Sequence, residues 1–161
     1  MTDVHSRDRA GRTPLHYAVI DGPRDQVNAW QETDPVRIAE LHQISVDYRL
    51  ANTRHLIDSG ANVNATDDDD CTPLHSAVAG DSAEVVRYLL DSGAYVDARN
   101  NKGETPLKLA VRNTTPAAAQ IMAVLYAAGA DPTIQADNGK SALDFVRRYG
   151  KPEERAVFNL D

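Results

Sequence analysis

The stretch CTPLHSAVAGD, residues 71–81, holds a cysteine and a histidine at a spacing that could support covalent chemistry. Cys71 is the only cysteine, and His75 follows it by four residues. A thiol activated by a neighbouring imidazole is a nucleophile. A working pair also needs a group that orients the base and a donor that stabilises the oxyanion, and the sequence suggests neither. The run Thr66-Asp67-Asp68-Asp69-Asp70 just before Cys71 could gather carboxylates around a cation. A calcium loop needs a central Gly and a terminal Glu, and DDDDCTPLHSAV has neither. The four aspartates read either as a solvated acidic turn or as a docking patch for Arg and Lys of a partner. There is no Gly-rich phosphate loop and no H-E-x-x-H, G-x-S-x-G or C-x-x-C motif. No catalytic residue, metal or cofactor is expected, and the sequence does not read as an enzyme.

A repeated unit positions these residues. RTPLHYAV starts at Arg12, CTPLHSAV at Cys71, ETPLKLAV at Glu104 and KSALDFV at Lys140. The Thr or Ser of each copy stands at 13, 72, 105 and 141, with spacings of 59, 33 and 36. A second motif follows the first three copies: DSGANVNA with Gly60, DSGAYVDA with Gly93 and AAGADPTI with Gly129. From Thr to Gly the intervals are 47, 21 and 24, so one unit is intact, one carries 3 extra residues and one carries 26. Thr caps a helix start, and Pro suits the first helical turn, where its missing N–H costs nothing. Leu74 with Ala77, and Leu107 with Ala110, then fall on one narrow face. The following AEVVRYLLDSG predicts a second helix with Val85, Val86, Leu89 and Leu90 apolar, stopped at Gly93. The stretches ANVNATDDDD and AYVDARNNKG are turn-rich connectors. Neither helix of such a pair can bury its apolar face alone, so stacking of pairs supplies the core.

A period of about 33 residues carrying T-P-L-H-x-A resembles the ankyrin repeat family, and more narrowly its small stand-alone bacterial members. The resemblance runs from about Asp8 to the C-terminus, with residues 24–50 unmatched. It implies an all-α solenoid of about four helix-turn-helix units in a single domain, 1–161. The units fall near 8–66 with the insertion 24–50, 67–99, 100–135, and 136–161 as a C-terminal cap. It also implies that His16 and His75 belong to a hydrogen-bond network between the turns, or fingers, and the helices. Lys108 and Asp144 take their place in the other copies. Cys71 then sits at a variable finger-side position and is expected to be half-exposed. Asp67 matches the family's finger Asp, and Asp70 stands where a Gly is usual.

The 26 extra residues are the largest departure. Asp34-Pro35 is a good cap and first-turn pair, and no Gly or Pro interrupts the chain from Pro35 to Ile57. One helix of about 23 residues is expected, with Ile38, Leu41, Tyr48 and Leu56 on one face and Ala39, Val46, Leu50 and Ile57 beside it. RDQVNAWQE reads as a shorter helix folded back as a hairpin. Trp30 is then either a residue of the hairpin core or an exposed anchor for a partner. The insertion itself is either recognition surface or a cap on the N-terminal end of the stack. In the third unit, Thr115-Pro116 reads as a fresh helix cap. In the last unit, Leu143, Phe145 and Val146 are expected to face inward, and Arg147, Arg148, Lys151 and Arg155 to face water.

The net charge of −7 argues against nucleic acid and anionic membranes as targets and leaves basic proteins as plausible partners. The N-terminal MTDVHSRDRAGR has no apolar core, no run is long and apolar enough to span a bilayer, and one cysteine makes no internal disulfide. A cytoplasmic protein, monomeric when free, is expected. The family resemblance implies a protein-binding module whose contact residues lie on the finger tips and the ends of the first helices. Carried over by position, these are Arg9, Arg12, Ile20, Asp21, Asp68, Asp69, Cys71, Asn101, Lys102, Glu104, Arg112, Asn113, Asp137, Asn138 and Lys140, with Trp30 added from the insertion. The sharper expectation is an inhibitor that sequesters one protein, such as an immunity protein against a bacterial toxin. The alternative is a general adaptor or scaffold, and nucleic-acid binding and catalysis are remote alternatives.

Overall fold

The computed structural model describes residues 3–23 and 32–160, which form eight helices and, among the described residues, no strand. They come in pairs: α1 (Pro14–Ala18) with α2 (Pro35–Asp58), α3 (Pro73–Ala77) with α4 (Ala83–Asp91), α5 (Pro106–Ala110) with α6 (Ala118–Ala127), and α7 (Ala142–Tyr149) with α8 (Pro152–Val157). The first helices form one row, α1 on α3 on α5 on α7. The second helices form another, α2 on α4 on α6 on α8. The fold is an all-α ankyrin-type solenoid.

The repeated residues account for this architecture. Leu15, Leu74 and Leu107 are fully buried at equivalent positions, each contributing about 1.5–3 kcal/mol by leaving water. Ala77 and Ala110 are buried one turn on, where a small side chain lets neighbouring helices approach. Val85, Val86 and Leu89 of α4, and Ile121, Met122 and Leu125 of α6, join them in one continuous core. Gly60, Gly93 and Gly129 follow α2, α4 and α6 with φ of +92°, +91° and +94°. A side chain there would meet nothing nearby, so the left-handed backbone, and not crowding, selects glycine.

α2 is the expected long helix, 24 residues from Pro35 to Asp58, and the Asp34 carboxylate accepts from Val36 N at 2.9 Å. The expected apolar residues are buried only in part: Val46 and Leu56 are buried and Leu50 and Ile57 pack on the core. Arg49 and Thr53 are buried as well, whereas Ile38 and Tyr48 are exposed, as are Val36 and Ile44. The 33-residue offset between Gly60 and Gly93 sets Ala83, the start of α4, opposite Leu50; α2 starts 15 residues before Leu50, at Pro35. That extra length, about 22 Å at 1.5 Å per residue, runs past the ordinary helix start, alongside the α3–α4 turn and the Pro116-Ala117 segment. Asp81 in the α3–α4 turn anchors it, with Oδ1 2.7 Å from Arg49 Nη1 and Oδ2 3.3 Å from His42 Nε2. Trp30 and the rest of residues 24–31, the expected short arm of a hairpin, lie outside the described residues.

Two smaller expectations change. Thr115-Pro116 does not cap α6. The helix starts at Ala118 after an uncapped Ala117, and Thr115 N donates to Asn113 Oδ1 at 2.8 Å in the preceding turn. In α7 only Ala142 and Val146 are fully buried, with Leu143 and Phe145 half-buried. Phe158 completes the last pair, edge-on to Tyr126 with centroids 5.2 Å apart.

Candidate functional site

Each unit begins with a tight turn, and the first three are built the same way. Asp8 Oδ1 accepts from Ala10 N and Arg12 N at 2.8 and 2.9 Å, Asp67 Oδ1 from Asp69 N and Cys71 N at 2.9 Å each, and Asn100 Oδ1 from Lys102 N and Glu104 N at 3.0 and 2.9 Å. The last finger has Ala136 at this place, and Asn138 caps Lys140 N at 3.0 Å instead. The fourth residue of each turn has positive φ: Gly11 at +71°, Asp70 at +58°, Gly103 at +66° and Gly139 at +71°. Asp70 is therefore a non-glycine residue in a left-handed turn, as its place in the repeat implied.

Backbone bonds join finger to finger. Asp68 N donates to Ala10 O at 3.0 Å, Asn101 N to Asp69 O at 2.9 Å, and Asp137 N to Lys102 O at 3.0 Å. A second ladder lies beneath, on the buried histidines. His16 Nδ1 accepts from Thr13 N at 3.1 Å while Nε2 donates to Cys71 O at 2.9 Å. His75 repeats this with Thr72 N at 3.1 Å and Glu104 O at 3.1 Å. These partners fix the neutral Nε2–H tautomer, and burial pushes both imidazoles below their ordinary pKa. Lys108 performs the same task one unit on, its Nζ donating to Ser141 O at 2.9 Å. Asp144 in the fourth copy turns back on its own unit, accepting from Ser141 N and Oγ at 2.9 and 2.8 Å. All four copies of this repeat position, carrying three residue types, are thus structural. Cys71 is half-buried, and desolvation raises its thiol pKa, the reverse of what an attacking thiolate needs. Among the described residues no three His, Cys, Asp or Glu side chains cluster as a metal site.

The first helices and finger tips form one grooved face. At its N-terminal end, a groove of about 310 Å3 lies between units one and two, among Arg12, Tyr17, Ile20, Asp67, Asp69 and Ser76. At its C-terminal end, a groove of about 330 Å3 is lined by Lys108, Arg112, Lys140, Phe145, Arg148 and Tyr149, with Asn138 and Asp144. The expected contact residues divide sharply across this face. Arg9, Arg12, Ile20, Asp21, Asp68, Asp69, Asn101, Lys102, Arg112, Asp137, Asn138 and Lys140 are exposed. Glu104 is buried, and Arg112 forks onto it, with Nη1 at 3.0 Å and Nη2 at 3.1 Å. Asn113 is half-buried and spends its amide on Val78 O and Gly80 O at 2.9 and 2.7 Å, tying two units together.

Tyr17, Ser76, Phe145, Arg148 and Tyr149 line the grooves and are not among the contact residues expected from sequence. The signal was present. Tyr17, Ser76, Leu109 and Phe145 each follow the His, Lys or Asp of the repeat, differ in type, and are all half-buried. Ile20, Ala79, Arg112 and Arg148 share the next such position, seven residues after the capping Thr or Ser.

Stacked helix pairs with hydrogen-bonded finger turns define a helical-repeat binding array. A family model of ankyrin repeats, in three copies, matches residues 41–150, and the chain belongs to that family. The match begins inside α2, leaving the first TPLH copy and the start of the long helix outside it. An ankyrin repeat protein of fowlpox virus (strain NVSL) is 30% identical over 89 residues, covering 52% of this chain and 63% of that protein. The chain therefore spans less than two thirds of the viral relative's length. Ankyrin repeats make this chain a protein–protein interaction module, in a family that generally binds and does not catalyse. Among the described residues no helix is long and apolar enough to cross a membrane.

Proposed function

We propose that the chain binds one protein partner across its finger-tip and first-helix face and holds it in an inactive complex, as an immunity protein holds a toxin. The array, read as one domain with units near 8–66, 67–99, 100–135 and 136–161, is then a cytoplasmic monomer until it meets that partner. One observation carries the reading. Asp68 and Asp69 stand exposed at a tip tied on both sides, to Ala10 and to Asn101. An acidic surface fixed in place loses little entropy on binding and favours a basic protein. Arg9, Arg12, Asn101, Lys102, Asp137, Asn138 and Lys140 extend the same surface.

The adaptor reading rests on a different feature. The start of α2 leaves Val36, Ile38 and Ile44 exposed, away from the finger tips. A second apolar surface would let two proteins bind at once.

The test is recovery of partners from host lysate with the tagged chain and with an Asp68→Lys, Asp69→Lys variant. The expected result is a basic protein recovered by the wild type, associating more slowly with the variant at low salt, and losing its own activity when one equivalent of the chain is added. A partner that keeps full activity in the complex would favour the adaptor. An association rate indifferent to the charge reversal would remove the acidic finger from the interface.

A further inference from the structure

We propose that the binding face is bipolar, and that its C-terminal groove takes a short acidic segment with an apolar side chain beside its carboxylates, supplied by the bound protein. This rests on the binding function above and names what the far end of that face recognises.

The chain carries a net charge of −7, yet the groove among α5, α7 and the last finger gathers Lys108, Arg112, Lys140 and Arg148 around one exposed carboxylate, Asp144. The four cations do not offer themselves equally. Arg112 is forked onto Glu104. Lys108 is buried, with Nζ spent on Ser141 O and lying 5.7 Å from the Phe145 ring centroid. Lys108 still adds positive potential from behind, whereas Glu104 offsets the charge of Arg112. Lys140 and Arg148 are exposed, and Arg148 lies over the Tyr149 ring at 5.3 Å, which leaves the edges of its guanidinium open to a carboxylate. Desolvation first, and the Arg112 charge after it, hold the Lys108 pKa below its ordinary value, with Glu104 and Asp144 acting the other way.

The walls distinguish an acidic peptide from a bare anion. Phe145 and Tyr149 stand with ring centroids 5.3 Å apart, and Tyr149 is 64% exposed, behind only Tyr95 and Val36, on other surfaces, among the described large hydrophobic side chains. Rings beside paired cations suit an apolar side chain flanked by carboxylates. A long polyanion fits poorly, because the acidic tips Asp68 and Asp69 lie further along the same face and would repel it.

The experiment uses the full chain and a fluorescein-labelled octapeptide alternating glutamate and leucine, followed by polarisation. Saturable binding is expected, weakening on the order of tenfold when salt rises from about 0.05 to about 0.5 M. The Lys140→Glu, Arg148→Glu variant should lose binding by about tenfold or more. An Arg54→Glu, Arg87→Glu variant, with the same change in net charge on the second-helix row, should bind as the wild type does. Both substituted pairs are exposed side chains, so melting temperatures should move by no more than about 2 °C. Equal binding of the lysine–leucine counterpart, no saturable binding, or indifference to the groove reversal would overturn the proposal. Tighter binding of an oligothymidylate of matching charge would overturn it in favour of nucleic acid. If the peptide fails while a partner protein still binds and still responds to Asp68→Lys with Asp69→Lys, the bipolar reading falls alone and the binding function stands.

Discussion

The first and second helix pairs carry the same motif and hold themselves together differently. In α3–α4 the positions facing the stack are Val85, Val86 and Leu89, all buried, and Ser82 caps the helix by accepting from Val85 N at 3.2 Å. In α1–α2 the 33-residue offset puts Asn52 and Thr53 where the valines are, and Arg49 where the cap is. Thr53 is fully buried with its hydroxyl unpartnered, and Arg49 is nearly so with Nη2 unpartnered. The second pair is stabilised by apolar burial. The first gives up part of that burial to continue its helix back over the neighbouring turn, anchored through Arg49 to Asp81. Among the described residues the first pair packs on one neighbouring pair only, α1 on α3 and α2 on α4, so less of the stack depends on its burial.

The largest contrast expected is between equivalent leucines. Leu74 sits in the main core, and Leu15 in a small cluster with Ala18, Leu56 and Ala61. Leu74→Ala should cost about 3–5 kcal/mol and Leu15→Ala about 2–3 kcal/mol in denaturant titrations, because a small cluster collapses more easily around a cavity than the main core does. Equal losses would mean that the first pair is as tightly packed as the second. Next in size is the Arg49 anchor. Asp81→Ala strands a guanidinium that is 5% exposed, at about 2 kcal/mol, whereas Arg49→Met removes the buried charge and should cost about 1 kcal/mol or less. The reverse order would show that Asp81 is held for another reason.

Swapping the valine and threonine positions tests the comparison directly. Val86→Thr should cost about 1–2 kcal/mol by burying a hydroxyl, and Thr53→Val should add about 1 kcal/mol by removing one that has no partner. A destabilised Thr53→Val would show that the hydroxyl is satisfied in solution. The histidine ladder gives a pH signature shared by both pairs. His16 and His75 have lowered pKa values because burial disfavours the imidazolium. The unfolded chain therefore takes up protons first, and stability should be level above about pH 6.5 and fall as pH drops below it. Asp8 and Asp144 are held low by hydrogen bonds from Tyr17 and Ser141 respectively, so their contribution is lost only as pH falls below the ordinary carboxylate value near 4. Melting temperature followed from pH 8 to 4.5 separates the two, and His75→Gln should flatten the upper limb.

Much of this was legible in the residues. The TPLH copies and their glycines gave the helix pairs, the turns and the structural reading of His75, because a repeated motif makes the same backbone demand each time. The start of α2 was legible in Asp34-Pro35. What it buries was not: periodicity assumes a partner along the whole helix, and the first half of α2 runs beyond the ordinary helix start. Burial of Arg49 depends on Asp81, 32 positions away in sequence, and no local pattern carries it. The start of α6 was misplaced because Thr-Pro is an equally good signal for a turn and for a cap. On the grooved face, the places of the finger turns were legible from the repeat, but the cationic groove joins α5, the last finger and α7, and only packing brings its charges together. Glu104 and Asn113 stood at contact positions in the repeat and are committed to contacts within the chain.

The smallest effect concerns the acidic turn itself. Asp70 has φ of +58° where the other three fingers have glycine. Asp tolerates this region better than most residues, yet still at some cost. Asp70→Gly removes that strain and one charge from a run of four, while adding freedom to the unfolded chain, so the net gain should be only about 0.5 kcal/mol. Asp70→Asn separates the causes, since it removes the charge and keeps the left-handed tolerance. A gain with Gly alone identifies strain, and an equal gain with Asn identifies repulsion among Asp67, Asp68, Asp69 and Asp70. The converse substitution, Gly103→Asp, should cost more than Asp70→Gly gains. A side chain at Gly103 would run into Asp137 of the next finger as well as facing a φ of +66°. If Asp70→Gly lowers the melting temperature, the acidic turn is held by a contact of the Asp70 side chain that outweighs its backbone strain.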